Sequence, residues 1–263
     1  MKVLFTKDYG KEKFDKIREL GYEIMYYNEN IVTNNEDVDS ADILVTYNPF
    51  RTLDINKMEN LKYIQTTSIG IDQIPVDKIL NRDIVIANNK GGYSIPIGEW
   101  IVMSILEIYK NTKFFIKNQD NKVWEKKRDL LELTDKTVTI VGCGNVGSEV
   151  AKRLKSFGCK INGVARRQVQ YDYIDKVYSM EELNETLKIS DIVVLTIALN
   201  KETKHLFDKE RFNVMKDEAV LVNVARGAIV NEEDLIEVLN SGKFMGVALD
   251  VMENEPLCVS SEL

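Results

Sequence analysis

Three glycines, Gly142, Gly144 and Gly147, stand at G-x-G-x-x-G spacing directly after the run T-V-T-I-V and directly before a segment of helical period. At that spacing the first allows a tight turn, the second lets a diphosphate approach the backbone, and the third lets strand and helix pack closely. Free N–H groups at the helix start, on Asn145 and Val146, would then face the anion. The following strand, K-I-N-G-V, runs into Arg166 and Arg167, where an NAD-binding unit would carry an Asp or Glu for the ribose hydroxyls. A guanidinium pair there suits a 2′-phosphate, so NADP(H) is expected ahead of NAD(H); the alternatives are NAD(H) or two merely solvated arginines. Thr196, in the strand Ile192–Ile197, is a further cofactor candidate. Arg226 follows another apolar run and precedes Gly227, which places it at the carboxyl edge of a sheet, where doubly wound folds keep their sites. The one histidine, His205, lies upstream of that arginine, in a segment expected to be a surface turn. A glycine loop by itself also suits a methyltransferase, which would leave the Arg226 segment unexplained.

The rest of the composition narrows the chemistry by exclusion. With 35 Lys and Arg against 42 Asp and Glu, the net charge is −7, and basic runs such as Lys126-Lys127-Arg128 have acidic neighbours. A nucleic-acid or anionic-membrane partner would need a clustered basic face, so neither is expected. Cys143, Cys159 and Cys258 are odd in number and lack metal-ligand spacing, which argues against a disulfide framework or a zinc site and fits a reducing cytoplasm. The start of the chain alternates apolar and charged residues too early for a signal peptide, and the apolar stretch Trp100 to Tyr109 is too short to span a bilayer.

The elements that must position these residues alternate between short β-branched runs and helical-period segments, the pattern of parallel sheets covered by helices. Strands are expected at Val3–Thr6, Tyr22–Tyr26, Ile43–Tyr47, Tyr63–Thr66 and Ile84–Ala87, with helices at Lys11–Leu20 and Pro75–Leu80. One continuous amphipathic helix is expected over Ile97–Lys117. The pattern then restarts, with strands at Thr137–Val141, Lys160–Val164, Ile192–Ile197, Ala219–Asn223 and Gly246–Leu249, and helices at Val146–Phe157 and Asp234–Ser241, each ending before a glycine. The fold class is therefore α/β: two doubly wound parallel-sheet domains, residues 1–93 for substrate and 94–263, crossing helix included, a Rossmann dinucleotide-binding domain.

Several further segments carry a family likeness: S-I-G-I-D (Ser68 to Asp72), S-I-P-I-G-E-W (Ser94 to Trp100), K-E-T-K-H-L-F (Lys201 to Phe207), V-N-V-A-R-G (Val222 to Gly227) and A-L-D-V-M-E-N-E-P-L (Ala248 to Leu257). Together with the glycine loop, and in this order, they resemble the D-isomer-specific 2-hydroxyacid dehydrogenases, the family of phosphoglycerate, glyoxylate and hydroxypyruvate reductases. The resemblance covers nearly the whole chain. It implies hydride transfer between NAD(P)H and a small 2-oxo acid, with Arg226 holding the carboxylate and polarising the ketone. It also implies that backbone N–H groups near Ile69 and Gly70 receive the substrate carboxylate, that Asp250 accepts from the nicotinamide carboxamide, and that Glu255 orients a catalytic histidine. A homodimer through the crossing helix is implied as well, with Trp124 matching a family aromatic.

The sequence departs from the family pattern near its end and at one loop position. The family's histidine stands a few tens of residues beyond E-P-L, and its chain then adds a final helix to the first domain. This sequence stops seven residues after Pro256. The expectation is impaired reduction and some exposed apolar surface on the first domain, with His205 a poor substitute as proton donor. The alternative is a non-catalytic dinucleotide-binding interaction module, or the decayed remnant of such an enzyme. Ala198, where the family commonly has proline, is expected to loosen the cofactor-covering loop slightly.

Overall fold

The computed structural model describes residues 1–167 and 169–263, and the chain divides into two compact units, Met1–Tyr93 and Ser94–Leu263. The first holds strands β1 (Lys2–Phe5), β2 (Glu23–Tyr26), β3 (Ile43–Thr46), β4 (Tyr63–Thr66) and β5 (Val85–Ala87), with helices α1 (Lys11–Glu19) and α2 (Glu36–Asp39). All its pairings are parallel, in the order β2-β1-β3-β4-β5. Successive side chains of a strand point to opposite faces. Leu4, Leu44 and Ile64 accordingly enter one apolar cluster, while Val3 and Phe5 enter another with Phe14 of α1. The chain order reverses between β1 and β3, so the loops after those strands flank the switch point where open parallel sheets leave a crevice.

The second unit begins with α3 (Ser94–Tyr109) and α4 (Thr112–Asp120). It continues with β6 (Thr137–Val141), α5 (Asn145–Ser156), β7 (Lys160–Val164), β8 (Lys176–Tyr178), α6 (Leu183–Ile189) and β9 (Ile192–Leu195). The last elements are α7 (Lys209–Val214), β10 (Val220–Asn223), α8 (Glu232–Asn240) and β11 (Gly246–Leu249). Its six strands are parallel in the order β11-β10-β9-β6-β7-β8. The chain runs from β6 outward to β8 and then returns to the other side through β9, β10 and β11, which is the dinucleotide-binding order with its switch point between β6 and β9. Both faces of this sheet are covered, so β9 and β10 are apolar almost throughout. Val193, Leu195 and Leu221 pack on one side with Phe207 and Phe212; Ile192, Val194, Val220 and Val222 pack on the other with Ile101 and Ile105 of α3 and Val150 and Leu154 of α5.

Two expectations about the elements are corrected. The helix read as Ile97–Lys117 starts at Ser94 and is two helices, broken at Asn111, whose backbone is left-handed at φ 48°. Asparagine tolerates that conformation, which stops a helix even where the apolar spacing continues across it. The segment Pro75–Leu80 is only a 3-10 turn at Val76–Lys78. The short strand β8 was not foreseen, because three residues, K-V-Y, are too few to show a period. No helix among the described residues is long and apolar enough to cross a membrane.

Candidate functional site

At the carboxyl end of β6 the three glycines differ in what their surroundings permit. Gly142 has φ 104°, and a Cβ there would meet the Ile197 nitrogen and the Thr196 carbonyl carbon at 2.7 Å. A Cβ on Gly147, in the first turn of α5, would overlap the Gly142 carbonyl oxygen and press on Ile140 and Thr196. Both positions exclude a side chain for reasons of the fold. Gly144, the residue before α5, has an ordinary backbone (φ −81°), and a Cβ there would meet nothing within 4 Å. No described residue requires glycine at that position.

The first turn of α5 has no side-chain cap, and no described residue accepts from the N–H groups of Asn145, Val146 or Gly147. Helix starts normally find such acceptors, and unsatisfied donors at the positive end of a helix dipole are suited to an anion. Thr196, just beyond β9, donates its hydroxyl to the Gly142 carbonyl at 2.6 Å, and its N–H donates to the Val141 carbonyl at 2.9 Å. These bonds pin the turn from the neighbouring strand. Cys143 is turned inward, its thiol pushed up to about 11 by burial, and Gly163 of β7 leaves it room, since a Cβ there would meet the sulfur at 2.5 Å. Arg166 and Arg167 follow β7 as exposed residues with no partner among the described residues.

The Arg226 turn is organised by Asn223, the buried last residue of β10. The Asn223 side chain accepts from the Ala225 N–H at 3.0 Å and donates to the Arg226 carbonyl at 3.0 Å, while its own carbonyl accepts from the Asp250 N–H at 3.0 Å. One residue therefore ties the Arg226 turn to the end of β11. The guanidinium donates to the Ala225 carbonyl at 2.7 Å. Gly227 is enforced by close passage, because a Cβ there would overlap the Met252 carbonyl group and the Glu253 nitrogen.

The acidic segment beyond β11 is tied to the same turn. The pKa of the Asp250 carboxyl is raised from its ordinary value, first through desolvation and then through the charge of Glu255. Glu255 is exposed and accepts from the Met252 N–H at 3.0 Å, closing a local turn. His205, in a left-handed turn at φ 50°, bonds Glu253 through its Nε2, and its backbone N–H donates to the Ala228 carbonyl at 2.8 Å. The expected surface turn is present, but the imidazole is half-buried and engaged by Glu253 rather than Glu255.

In the first unit, the loop after β4 has its carbonyl groups taken and two N–H groups open. The Ser68 carbonyl accepts from the Thr66 hydroxyl at 3.1 Å and the Asn89 N–H at 2.9 Å, that of Ile69 from the Asn88 side chain at 2.7 Å, and that of Gly70 from the Ser68 hydroxyl at 2.7 Å. The N–H groups of Ile69 and Gly70 find no acceptor among the described residues. Asn88 and Asn89 were not foreseen as part of this loop. Their roles depend on sheet order, which brings the end of β5 beside that of β4, and a lone N-N pair carries no trace of it.

The comparisons with known proteins agree with this geometry. Residues 102–263 match the model of the D-isomer specific 2-hydroxyacid dehydrogenase, NAD binding domain. The D-3-phosphoglycerate dehydrogenase of Methanocaldococcus jannaschii is 34% identical over 232 residues, covering 84% of this chain and 43% of that protein. The glyoxylate reductase of Thermofilum pendens is 35% identical over 241 residues, covering 87% of this chain and 69% of that protein. The chain thus spans from less than half to about two thirds of the length of these curated relatives. Among solved structures, the D-lactate dehydrogenase of Aquifex aeolicus, complexed with NAD and lactic acid, superimposes with a TM-score of 0.80 at 26% identity, covering 97% of this chain and 78% of that one. Motifs, two doubly wound sheets and matched relatives coincide, and the chain belongs to the D-isomer-specific 2-hydroxyacid dehydrogenase family.

Proposed function

We propose that the chain serves an oxidoreductase that passes a hydride between a nicotinamide dinucleotide and a small 2-oxo or D-2-hydroxy acid. The observation that carries this reading is the open cradle at Gly144, bordered by N–H groups of α5 that find no acceptor among the described residues, at the switch point of the second sheet. Gly142, Gly144, Asn145, Val146, Gly147 and Thr196 would hold the diphosphate, and Asp250 the carboxamide. When bound, the dinucleotide supplies the hydride. Arg226 would hold the substrate carboxylate and draw charge from the ketone as it becomes an alkoxide. Ile69 and Gly70 would donate to the same class of anion, and Glu255 would serve as an orienting carboxylate.

Arg166 and Arg167 favour NADP(H) in this reading, because two exposed guanidinium groups stand where a ribose-binding acid would repel a 2′-phosphate. A homodimer belongs to it too: Phe115, Ile116, Val123 and Trp124 are 39%, 53%, 51% and 82% exposed around α4, an apolar run that a second copy would cover. A cytoplasmic setting is supported by three free cysteines.

Titration of NADPH and NADH by nucleotide fluorescence tests the cofactor site. NADPH is expected to bind at least about tenfold more tightly, since each charge-assisted contact contributes roughly 1.5–3 kcal/mol, and Arg166→Ala with Arg167→Ala is expected to remove the difference. NADPH oxidation with glyoxylate and hydroxypyruvate, compared with Arg226→Ala, tests the chemistry. Failure to bind either dinucleotide, or turnover indifferent to Arg226→Ala, would overturn the reading.

A further inference from the structure

The switch point of the first sheet is filled by the protein's own anion. Glu29, in the segment after β2, places its carboxylate beside the ends of β1 and β3. One oxygen accepts from the Thr6 hydroxyl at 2.7 Å, the Thr46 hydroxyl at 3.1 Å and the Tyr47 N–H at 2.8 Å; the other accepts from the Asn48 N–H at 3.0 Å. Thr6 and Thr46 are buried. Two backbone N–H groups at the carboxyl edge, which an incoming anion could otherwise use, are thereby occupied.

The clamp continues toward the loop after β4. The Tyr47 carbonyl accepts from the Gln73 side chain at 3.1 Å, and the same amide donates to the Ser68 hydroxyl oxygen at 2.7 Å. The Ser68 hydroxyl donates in turn to the Gly70 carbonyl. An unbroken path of hydrogen bonds therefore runs from Glu29 through Tyr47, Gln73 and Ser68 to Gly70. At its far end the Ile69 and Gly70 N–H groups are left without acceptors among the described residues. A turn whose carbonyls are all engaged has few ways to rotate those donors inward.

We propose that Glu29 is a positioning residue for anion capture: it fixes the Tyr47–Asn48 loop and, through Gln73 and Ser68, holds Ile69 and Gly70 with their N–H groups presented. This rests on the reading that Ile69 and Gly70 receive the substrate carboxylate. Built-in occupancy of the Tyr47 and Asn48 donors also directs an external carboxylate to the loop after β4 and not to the loop after β3. The relay lies wholly in the first unit, so it acts on substrate and leaves the dinucleotide cradle of the second unit untouched.

The test uses the full chain in the presence of NADPH, with oxamate, a 2-oxo acid analogue that cannot be reduced, as the probe. Amide spectra follow Ile69 and Gly70 directly. In the wild type, oxamate is expected to shift both resonances. Glu29→Ala is expected to weaken oxamate at least about tenfold, to move both resonances in the absence of oxamate, and to leave the NADPH Kd unchanged. Glu29→Gln keeps one acceptor oxygen, enough for the Tyr47 N–H that leads into the relay but not for the Asn48 N–H on the other oxygen, so its loss of oxamate affinity should be smaller than that of Glu29→Ala. If Glu29→Ala does not fold, Gln73→Met cuts the same path at a half-buried position and carries the same expectation. Should oxamate leave the wild-type Ile69 and Gly70 resonances unmoved, the functional reading fails, and the relay is then judged by the oxamate-free spectra alone. Ile69 and Gly70 resonances that stay in place in both Glu29→Ala and Gln73→Met would overturn the proposal.

Discussion

The carboxyl edges of the two sheets are shaped by opposite means. In the second unit the turns are set by side chains that are missing: Gly142, Gly147 and Gly227 each lie where a Cβ would overlap backbone. In the first unit they are set by side chains that are present, with Glu29, Gln73, Ser68, Asn88 and Asn89 taking backbone groups one by one, the last at the Thr67 carbonyl. Steric exclusion permits no alternative and tolerates no substitution. Polar clamping is softer, since each net hydrogen bond contributes about 1 kcal/mol and a neighbouring acceptor can replace a lost one.

The largest effect expected from this contrast is at Gly227. Gly227→Ala must displace the Met252–Glu253 backbone, and with it the Arg226 turn, at a cost of about 3 kcal/mol or more. Calorimetry should show the second unit melting roughly 6 to 12 °C lower. An unchanged melt would mean that the 251–255 segment yields easily and that exclusion does not shape this edge.

Asn223 sharpens the comparison because it is a polar clamp within the sterically shaped edge. Asn223→Ala strands the Ala225 N–H and leaves the Arg226 carbonyl with the Ile229 N–H as its donor, and about 2 kcal/mol of destabilisation is expected in urea unfolding. A loss under about 0.5 kcal/mol, the range of ordinary surface substitutions, would say that the glycines alone define the turn.

The smallest effect is a pH dependence in the first unit. Partial burial raises the Glu29 pKa, but bonds from Thr6, Tyr47, Asn48 and Thr46 outweigh it, so the carboxyl lies below its ordinary value of 4.5. A depressed folded value means that Glu29 stabilises the fold above the unfolded pKa and loses that contribution as pH falls through the folded one. Tyr9, beside Glu29, has its pKa raised by burial and by Tyr93 and Glu29, and stays neutral over this range. Urea midpoints measured between pH 6 and pH 3 should therefore decline more steeply in the wild type than in Glu29→Gln. Parallel curves would remove charge from the account of the clamp.

The same contrast decides what could be read in advance. Glycines that answer to backbone overlap recur at fixed spacing next to strands, so G-C-G-N-V-G and A-R-G stand out in a linear sequence. Short β-branched apolar runs likewise revealed the buried strands, because β9 and β10 are covered on both faces. Glu29 was invisible. It sits in Y-N-E-N, which resembles any solvated loop, and its partners Thr6 and Thr46 lie 23 and 17 positions away on strands that only the sheet order brings together. Asn111 failed in the opposite sense: apolar spacing runs on through Phe115 and Ile116 and conceals a break that one left-handed residue makes. The pairing of His205 with Glu253 also depends on long-range folding, since 48 positions separate them.

Gly144 offers the most direct measurement. It is the member of the glycine triad that the fold does not require, having an ordinary φ and, among the described residues beyond its chain neighbours, no atom within 4 Å of a Cβ built on it, so its space is open to a ligand. Gly144→Ala should therefore leave the melting temperature of the second unit within about 2 °C of wild type, as a surface change worth under about 0.5 kcal/mol would. The same variant should weaken NADPH by about a hundredfold, or roughly 2.7 kcal/mol, in fluorescence titration. Unchanged NADPH affinity in a stably folded Gly144→Ala protein would contradict the assignment of this edge as the dinucleotide site.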